Sequence, residues 1–482
     1  MTTPRHSRRS FVGGLAAGAV ILGFSPAGGA WVTDVHAKGG LDIDAVPPLD
    51  GELVLDEPSR DAVAVDCGRF ATERPAAVLR PGSVRDLSRI VRFARRHELR
   101  VAVRGRAHSI QGETLVEGGI VVDMSTLRRV PLAKHETALV DAGCSWSDVL
   151  DATLPLGLTP PVLPDYAGLS VGGTLSIGGI SPTTFRYGAQ VDNVVGLQVV
   201  TGEGDVVWCS KARRRDLFEA VLAGQGQCAI MARAEVRLVP APSTVRVFQL
   251  RYADVATALG DAQRLTDDGR FDGVQMFVAP AAGAPVVVLL GTAYFTGPPE
   301  PDDARLLDGL RHQTGGVQVA DLTYRRYCDR VQAPFPPLPH PALSLILPGG
   351  SAAAFVERAV ERMTAADLGA FDVIQLFDWR RSAFTRPLFR VPDDPRCVGF
   401  AVLRSARTPA LEAQMLAGNR VLYDEAQQIG ATAYPFSAVV RSADDWRRHY
   451  GPEWRTLLHA KRRYDPGNRL ASGPDVLGPG TK

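Results

Sequence analysis

The sequence predicts a two-domain chain of mixed α and β structure, and three observations lead there. Its 482 residues, 45% hydrophobic and only 22% charged, supply enough apolar surface for two cores and exclude extended disorder. Before Pro240, short β-type runs alternate with segments of helical periodicity. After it, longer β-type runs at 245–250 and 286–290 take over, with helices between such runs, one of them around 352–365. The expected organisation is a leader over 1–37, a first domain over 60–242, a second over 243–440, and a tail over 441–482 that returns to the first.

Taken in order, Ser7-Arg8-Arg9-Ser10-Phe11-Val12 precedes an apolar run at 15–24 and the small residues Ala27-Gly28-Gly29-Ala30, an arrangement that resembles a twin-arginine export signal. The run is too short to cross a bilayer comfortably. A signal cleaved between Ala30 and Ala37 is therefore expected rather than a stable membrane anchor, and with it a periplasmic or extracellular protein. The run 76–81 reads as a strand stopped by Pro81. Ser83 then caps a helix, with Asp86 as the other half of a capping box and Val84, Leu87, Ile90, Val91 and Ala94 on one face. Residues 101–103 form a short strand, 119–123 another, and 138–143 a third that leads into a helix starting at 145–150. From 165 to 188, small residues (Gly168, Ser170, Gly172, Gly173, Thr174, Ser176, Gly178, Gly179, Ser181) alternate with Leu169, Val171, Leu175, Ile177 and Ile180, which predicts ordered strand and turn rather than a linker. The tail from Trp446 is helical until Pro466 stops it.

Charge and cysteine usage exclude several classes. A net charge of +2 from 54 basic and 52 acidic residues provides no field for nucleic acid, and Arg213-Arg214-Arg215 reads as solvated surface. The six cysteines, at 67, 144, 209, 228, 328 and 397, include no C-x-x-C pair; this argues against a zinc site or a small disulfide scaffold and for buried thiols, and no metal is expected. Two segments carry chemistry. His108 follows the 101–103 strand in the turn Arg104-Gly105-Arg106-Ala107-His108-Ser109, where small residues let the backbone pass close to a planar ligand. A lone histidine after a strand is more often structural, so the turn needs the second segment to give it meaning. That segment is the glycine-rich stretch, whose amide N–H groups can approach phosphate or a flavin ring. No G-x-G-x-x-G follows a strand and opens a helix, so a Rossmann dinucleotide site is not supported.

In this order the segments resemble the vanillyl-alcohol-oxidase or p-cresol methylhydroxylase type of FAD-linked oxidoreductases, and within it the cytokinin dehydrogenases, from about residue 60 to the end. The match is carried by 75–81, the 104–109 turn, Pro164-Asp165-Tyr166 running into 170–176, Thr184-Phe185-Arg186-Tyr187-Gly188, Asp192-Asn193-Val194, 199–202, Asp216-Leu217-Phe218, Gly226-Gln227 and the closing 461–470. The resemblance implies an α+β fold, with an FAD domain of the p-cresol methylhydroxylase type made from both ends of the chain and an α+β substrate domain inserted between them.

For the site, the resemblance implies FAD bonded to His108 through the flavin's 8α carbon, with Arg104, Gly105, Arg106, Ala107 and Ser109 lining the same turn. Glu113, Ser170, Thr174, Ser176 and Ile180 would contact the cofactor, and Met231 would meet its adenine end through backbone. Tyr166 stands where some relatives carry a second linking cysteine, so one covalent bond is expected. Asp165 would be the catalytic residue, holding a substrate amine and taking its proton as hydride passes from the adjacent carbon to flavin N5, an effect worth about 10²–10⁴-fold. Gln275 replaces a glutamate that in some relatives holds a purine at the pocket mouth, and an amide offers no charged acceptor there. Ala107 replaces a usual glycine, Glu113 a common glutamine, and Ser472-Gly473-Pro474 a closing Pro-Gly-Gln. The implied reaction is oxidation of a C–N bond in an N-alkyl amine to an imine that water hydrolyses, with oxygen or a quinone as electron acceptor. Oxidation of an alcohol, sugar or secondary metabolite, and flavin binding without turnover, are the alternatives.

Overall fold

The computed structural model describes residues 20–25, 30–34, 46–133, 136–281, 283–331, 336–369, 373–470 and 476. Within the expected leader, Val20–Ser25 pairs antiparallel with Ala30–Asp34; Arg8 and Arg9 lie outside the described residues.

Three larger sheets follow. The first has the strand order Glu52–Val54, Ala77–Arg80, Ile120–Asp123, Val101–Arg104, with the last three parallel. Parallel neighbours need a crossover, and the helix Val84–Arg96 provides one, burying Leu87, Ile90, Val91 and Ala94 as its periodicity predicts. Ser83 caps this helix, but Asp86 does not close a capping box. Its buried carboxylate instead accepts the N–H groups of Asp50 and Gly51, each at 2.8 Å, and of Gly82 at 2.9 Å, which ties the lead segment to the helix start.

The second sheet is antiparallel, ordered Val206–Ser210, Val194–Thr201, Ala229–Arg237, Thr137–Asp141, Leu132–Ala133. Residues 171–177 depart from the strand-and-turn expectation and form a short helix, Val171–Ile177, because Val171 and Leu175, four residues apart, both bury into the core. The tail helices Ala443–Tyr450 and Trp454–Tyr464 place Trp446, Tyr450, Leu457 and Ala460 in the same core as Leu79 and Phe93. Buried Lys461 donates to the carbonyls of Gln227 at 2.8 Å and Leu470 at 3.0 Å, and Val101 N–H reaches Arg469 O at 2.8 Å.

The third sheet has eight antiparallel strands, ordered Val317–Thr323, Thr244–Tyr252, Val286–Phe295, Gly273–Ala279, Val373–Arg380, Arg396–Leu403, Leu343–Pro348, Thr432–Ala433. The helices Val255–Asp268 and Gly349–Glu361 pack on one face, around a second core containing Phe248, Leu289, Leu376 and Phe400. The second of them ends four residues short of the predicted 365. The six cysteines form no disulfide. No helix among the described residues is long and apolar enough to cross a membrane.

Candidate active site

The strand Val101–Arg104 delivers the turn that carries His108. Ala107 in that turn is left-handed, with φ +55°, a conformation that costs a non-glycine residue about 1 kcal/mol and explains why glycine suits the position. The segment 66–68 braces the turn from outside: Cys67 N–H donates to Ala107 O at 3.0 Å and Gly68 N–H to Ser109 O at 3.2 Å. The buried Asp66 carboxylate accepts from Gly112 N–H at 2.8 Å and from the Ser109 hydroxyl at 3.1 Å. Arg104 donates to the carbonyls of Val63 and Val65 at 3.2 and 2.7 Å. The side chains of Arg104 and Ser109, expected to line the cofactor, thus hold the turn in shape. Arg106 is exposed. His108 Nδ1 lies 2.9 Å from Arg106 O; a carbonyl only accepts, so Nδ1 carries the proton. Burial lowers the imidazole's pKa, which keeps the ring neutral at pH 7.

The glycine-rich segment meets this turn directly. A Cβ at Gly105 would stand 2.1 Å from Ser170 Oγ, so only glycine permits the approach. The Thr174 hydroxyl accepts Trp146 Nε1–H at 2.9 Å, and Ser176 donates to Gly172 O at 2.7 Å. Both hydroxyls are therefore engaged inside the protein, and what these positions offer a ligand is small size and backbone. Ile180 packs at the edge of the first core. Met231 buries its side chain there, beside a bulge where Gln198 pairs with Arg233 and Val199 with Met231, leaving Ala232 unopposed.

Asp165 stands close to this region, because the ring of the next residue, Tyr166, lies 5.4 Å from that of His108. The eight-stranded sheet supplies two of its partners. Val274, Met276, Val278, Ile374 and Leu376 face the helix-covered core, so alternation sends Gln275 and Gln375 to the opposite face. From there Gln275 Nε2 donates to Asp165 Oδ2 at 2.8 Å and Gln375 Nε2 to the same oxygen at 3.4 Å. Arg330 forms an ion pair with Oδ1, while its guanidinium lies 4.2 Å from the centre of the Tyr327 ring and donates to Tyr327 O at 2.9 Å. Gln275 is thus found beside Asp165 but not free at a pocket mouth: it holds the carboxylate. A glutamate here would set two like charges in contact.

Sequence reasoning brought together His108, the glycine-rich segment, Asp165 and Gln275. It missed Asp66, Arg330 and Gln375. Nothing local marks these three, since Arg330 and Gln375 reach Asp165 across 165 and 210 residues of sequence.

Past His108, Gln111 N–H donates to Glu113 Oε2 at 2.8 Å, and burial pushes the Glu113 carboxyl up to about 7. The residues present suit FAD. Gln111 Nε2 and all three nitrogens of Arg441 are buried donors with no hydrogen-bond partner among the described residues, and FAD is rich in acceptors. No cluster of His, Cys, Asp and Glu among the described residues could hold a metal ion.

Comparison with known proteins agrees with this geometry. A family described as "FAD binding domain" matches residues 75–210, and one described as "Cytokinin dehydrogenase 1, FAD and cytokinin binding" matches 300–477. The chain is 36% identical to an oxidoreductase encoded by ORF5 of the fasciation locus of Rhodococcoides fascians, over 88% of this chain and 99% of that one. It is 34% identical to cytokinin dehydrogenase 1 of Oryza sativa subsp. japonica, over 92% and 96%. Among solved structures, 6-hydroxy-D-nicotine oxidase of Arthrobacter nicotinovorans superposes with a TM-score of 0.70 at 23% identity, covering 88% of this chain and 98% of that one. A chitooligosaccharide oxidase does so at 0.71 and 17%, covering 89% and 97%; these two likenesses establish a shared fold. The chain belongs to the cytokinin dehydrogenase family and is an FAD-dependent oxidoreductase with the two-domain fold of the vanillyl-alcohol-oxidase type.

Proposed function

We propose that this enzyme oxidises a C–N bond of an N-alkyl amine of the cytokinin type, using FAD bonded to His108. The observation that carries this reading is the Asp165 carboxylate, gripped by Gln275, Gln375 and Arg330 beside the turn that bears His108. Bound FAD supplies a two-electron acceptor for hydride at N5. A carboxylate offers about four acceptor positions; the described residues take three, and the fourth would accept a substrate N–H. By drawing off that proton, Asp165 frees the nitrogen lone pair that expels hydride from the adjacent carbon, an effect of about 10²–10⁴-fold. Gln275, Gln375 and Arg330 fix the carboxylate from two directions, so it is positioned before substrate arrives. Water then hydrolyses the released imine.

His108 suits a covalent link because its imidazole stays neutral, and Tyr166 in place of a cysteine leaves it as the single link. The division into an FAD domain over 60–242, a substrate domain over 243–440 and a returning tail over 441–482 belongs to this reading, as does twin-arginine export with cofactor already loaded. Small molecules are the partners: the amine, and oxygen or a quinone as electron acceptor.

Two measurements test it. Acid precipitation should leave the yellow colour in the pellet of the parent enzyme and release it to the filtrate in His108→Ala; colour in the parent's filtrate rejects the covalent link. Anaerobic mixing with isopentenyladenine should bleach the flavin. Bleaching by alcohols or sugars alone rejects the amine reading.

A further inference from the structure

Arg441 is a buried cation that the rest of the described chain leaves without hydrogen bonds. It precedes Ser442, the cap of the helix Ala443–Tyr450. Only 6% of it is exposed, its guanidinium lies 4.5 Å from the centre of the Trp446 ring, and none of its three nitrogens has a hydrogen-bond partner among the described residues. A guanidinium holds five N–H donors, accepts nothing and stays charged, so burying it unpaired is costly. Trp446 Nε1, on the ring beside it, and Gln111 Nε2 are also buried donors without partners among the described residues. A fold that gathers so many unmet donors is built around an acceptor-rich guest.

The location narrows the guest. Ile110 packs with Ala438, and the charge of Arg441 acts on Glu113. Arg441 therefore lies along the stretch that carries Gln111 and Glu113, three and five residues past His108. A phosphate here would face the Glu113 carboxyl. The pyrimidine end of a flavin, in contrast, sets one N–H among carbonyl and ring-nitrogen acceptors, which matches a carboxyl beside a guanidinium and an amide.

We propose that Arg441 and Gln111 donate to the carbonyl and N1 acceptors at the pyrimidine end of the flavin, and that Arg441 stabilises the negative charge that reduction places there. Reduction adds two electrons and one proton, the proton at N5, and the uncompensated charge spreads over N1 and the C2 carbonyl. A fixed cation at that edge favours the reduced form without having to reorganise. The inference rests on the flavin and not on which substrate reduces it.

The test uses holoenzyme and inorganic sulfite, which adds to flavin N5 and leaves the same charge at N1, so no substrate is needed. In Arg441→Met, sulfite should bind about tenfold more weakly or worse, and the flavin's two-electron potential should fall by about 30 mV for each tenfold loss of preference for the reduced form. Flavin content should be unchanged. Should that variant fail to fold, Glu113→Gln at pH 8 gives the opposite reading: removing the competing carboxylate tightens sulfite binding and raises the potential. Potential and sulfite affinity within about twofold of the parent overturn the proposal. So does loss of flavin content with both properties intact in what remains, which would assign Arg441 to the pyrophosphate.

Discussion

Glu113 should make stability depend on pH, and Glu113→Gln should remove that dependence. Burial pushes this carboxyl from an ordinary 4.5 up to about 7, so the folded protein binds its proton more tightly than the unfolded chain does. The stabilisation is fully present below about 4.5 and is lost as pH rises through about 7. At about 1.4 kcal/mol per tenfold change in proton affinity, the displacement amounts to about 3 kcal/mol. A 482-residue chain melts with an entropy of roughly 1 kcal/mol/K, so the loss corresponds to about 3 °C in Tm. Glutamine mimics the protonated acid at every pH. The two proteins should melt together near pH 4.5 and separate by about 3 °C at pH 8, with the parent lower. Scanning calorimetry or intrinsic fluorescence across that range measures the gap. Parallel curves would mean that Glu113 ionises at no cost in the folded state, and the account of its environment would fail.

Three substitutions probe the Asp165 carboxylate. Asp165→Asn should keep its flavin and lose about 10²–10⁴-fold in kcat; stopped-flow rates of flavin bleaching equal to the parent's would reject the assignment. Arg330→Gln leaves Asp165 with amide partners only, and a mispositioned base should lose about 10²-fold in kcat/KM, partly restored by Arg330→Lys; steady-state kinetics decide, and an unchanged rate removes Arg330 from the site. Gln275→Glu sets a second carboxylate against Asp165 where Gln275 Nε2 now stands 2.8 Å away. That contact exchanges attraction for repulsion, so turnover should fall by about tenfold or more. A gain in affinity for isopentenyladenine with turnover intact would show that Gln275 faces the substrate instead.

How much of this was legible in the sequence depends on how far each interaction reaches along the chain. The turn around His108 was legible because its cause is local: a short buried strand followed by residues small enough for close approach. Asp165 became meaningful only beside the glycine-rich stretch, and through a resemblance carried by the order of many segments. Where two periodicities fit equally well, the reading went wrong. Val171 and Leu175 are spaced for a helix, but Gly172 and Gly173 between them each cost a helix about 1 kcal/mol. Close packing decides instead: a Cβ at Gly172 would lie 2.9 Å from that of Ala142. Arg330 and Gln375 could not be found locally, since only the tertiary fold brings the bend after the helix Tyr324–Cys328 and the strand Val373–Arg380 to Asp165. Arg441 has a still weaker signal. One arginine among many becomes informative only when its burial and its missing partners are known.

Charge around Asp165 and Glu113 bears on how an amine would be oxidised. Asp165 is ion-paired with Arg330, whereas Arg441 acts on Glu113 only as a minor influence beside burial. A bare buried carboxylate would resist losing its water. In the proposed reaction, negative charge would move from the substrate toward the flavin and a proton toward Asp165. On that proposal the two arginines would serve its two ends, Arg330 beside the group that gains the proton and Arg441 beside the ring edge that gains the electrons. Removing either should therefore have distinct consequences: loss of Arg330 disturbs catalysis and leaves the flavin potential unchanged, whereas loss of Arg441 shifts the potential and leaves the substrate's KM unaltered. A substitution at either position that moved both properties together would show that the two cations act as a single field, and the division of labour argued here would not stand.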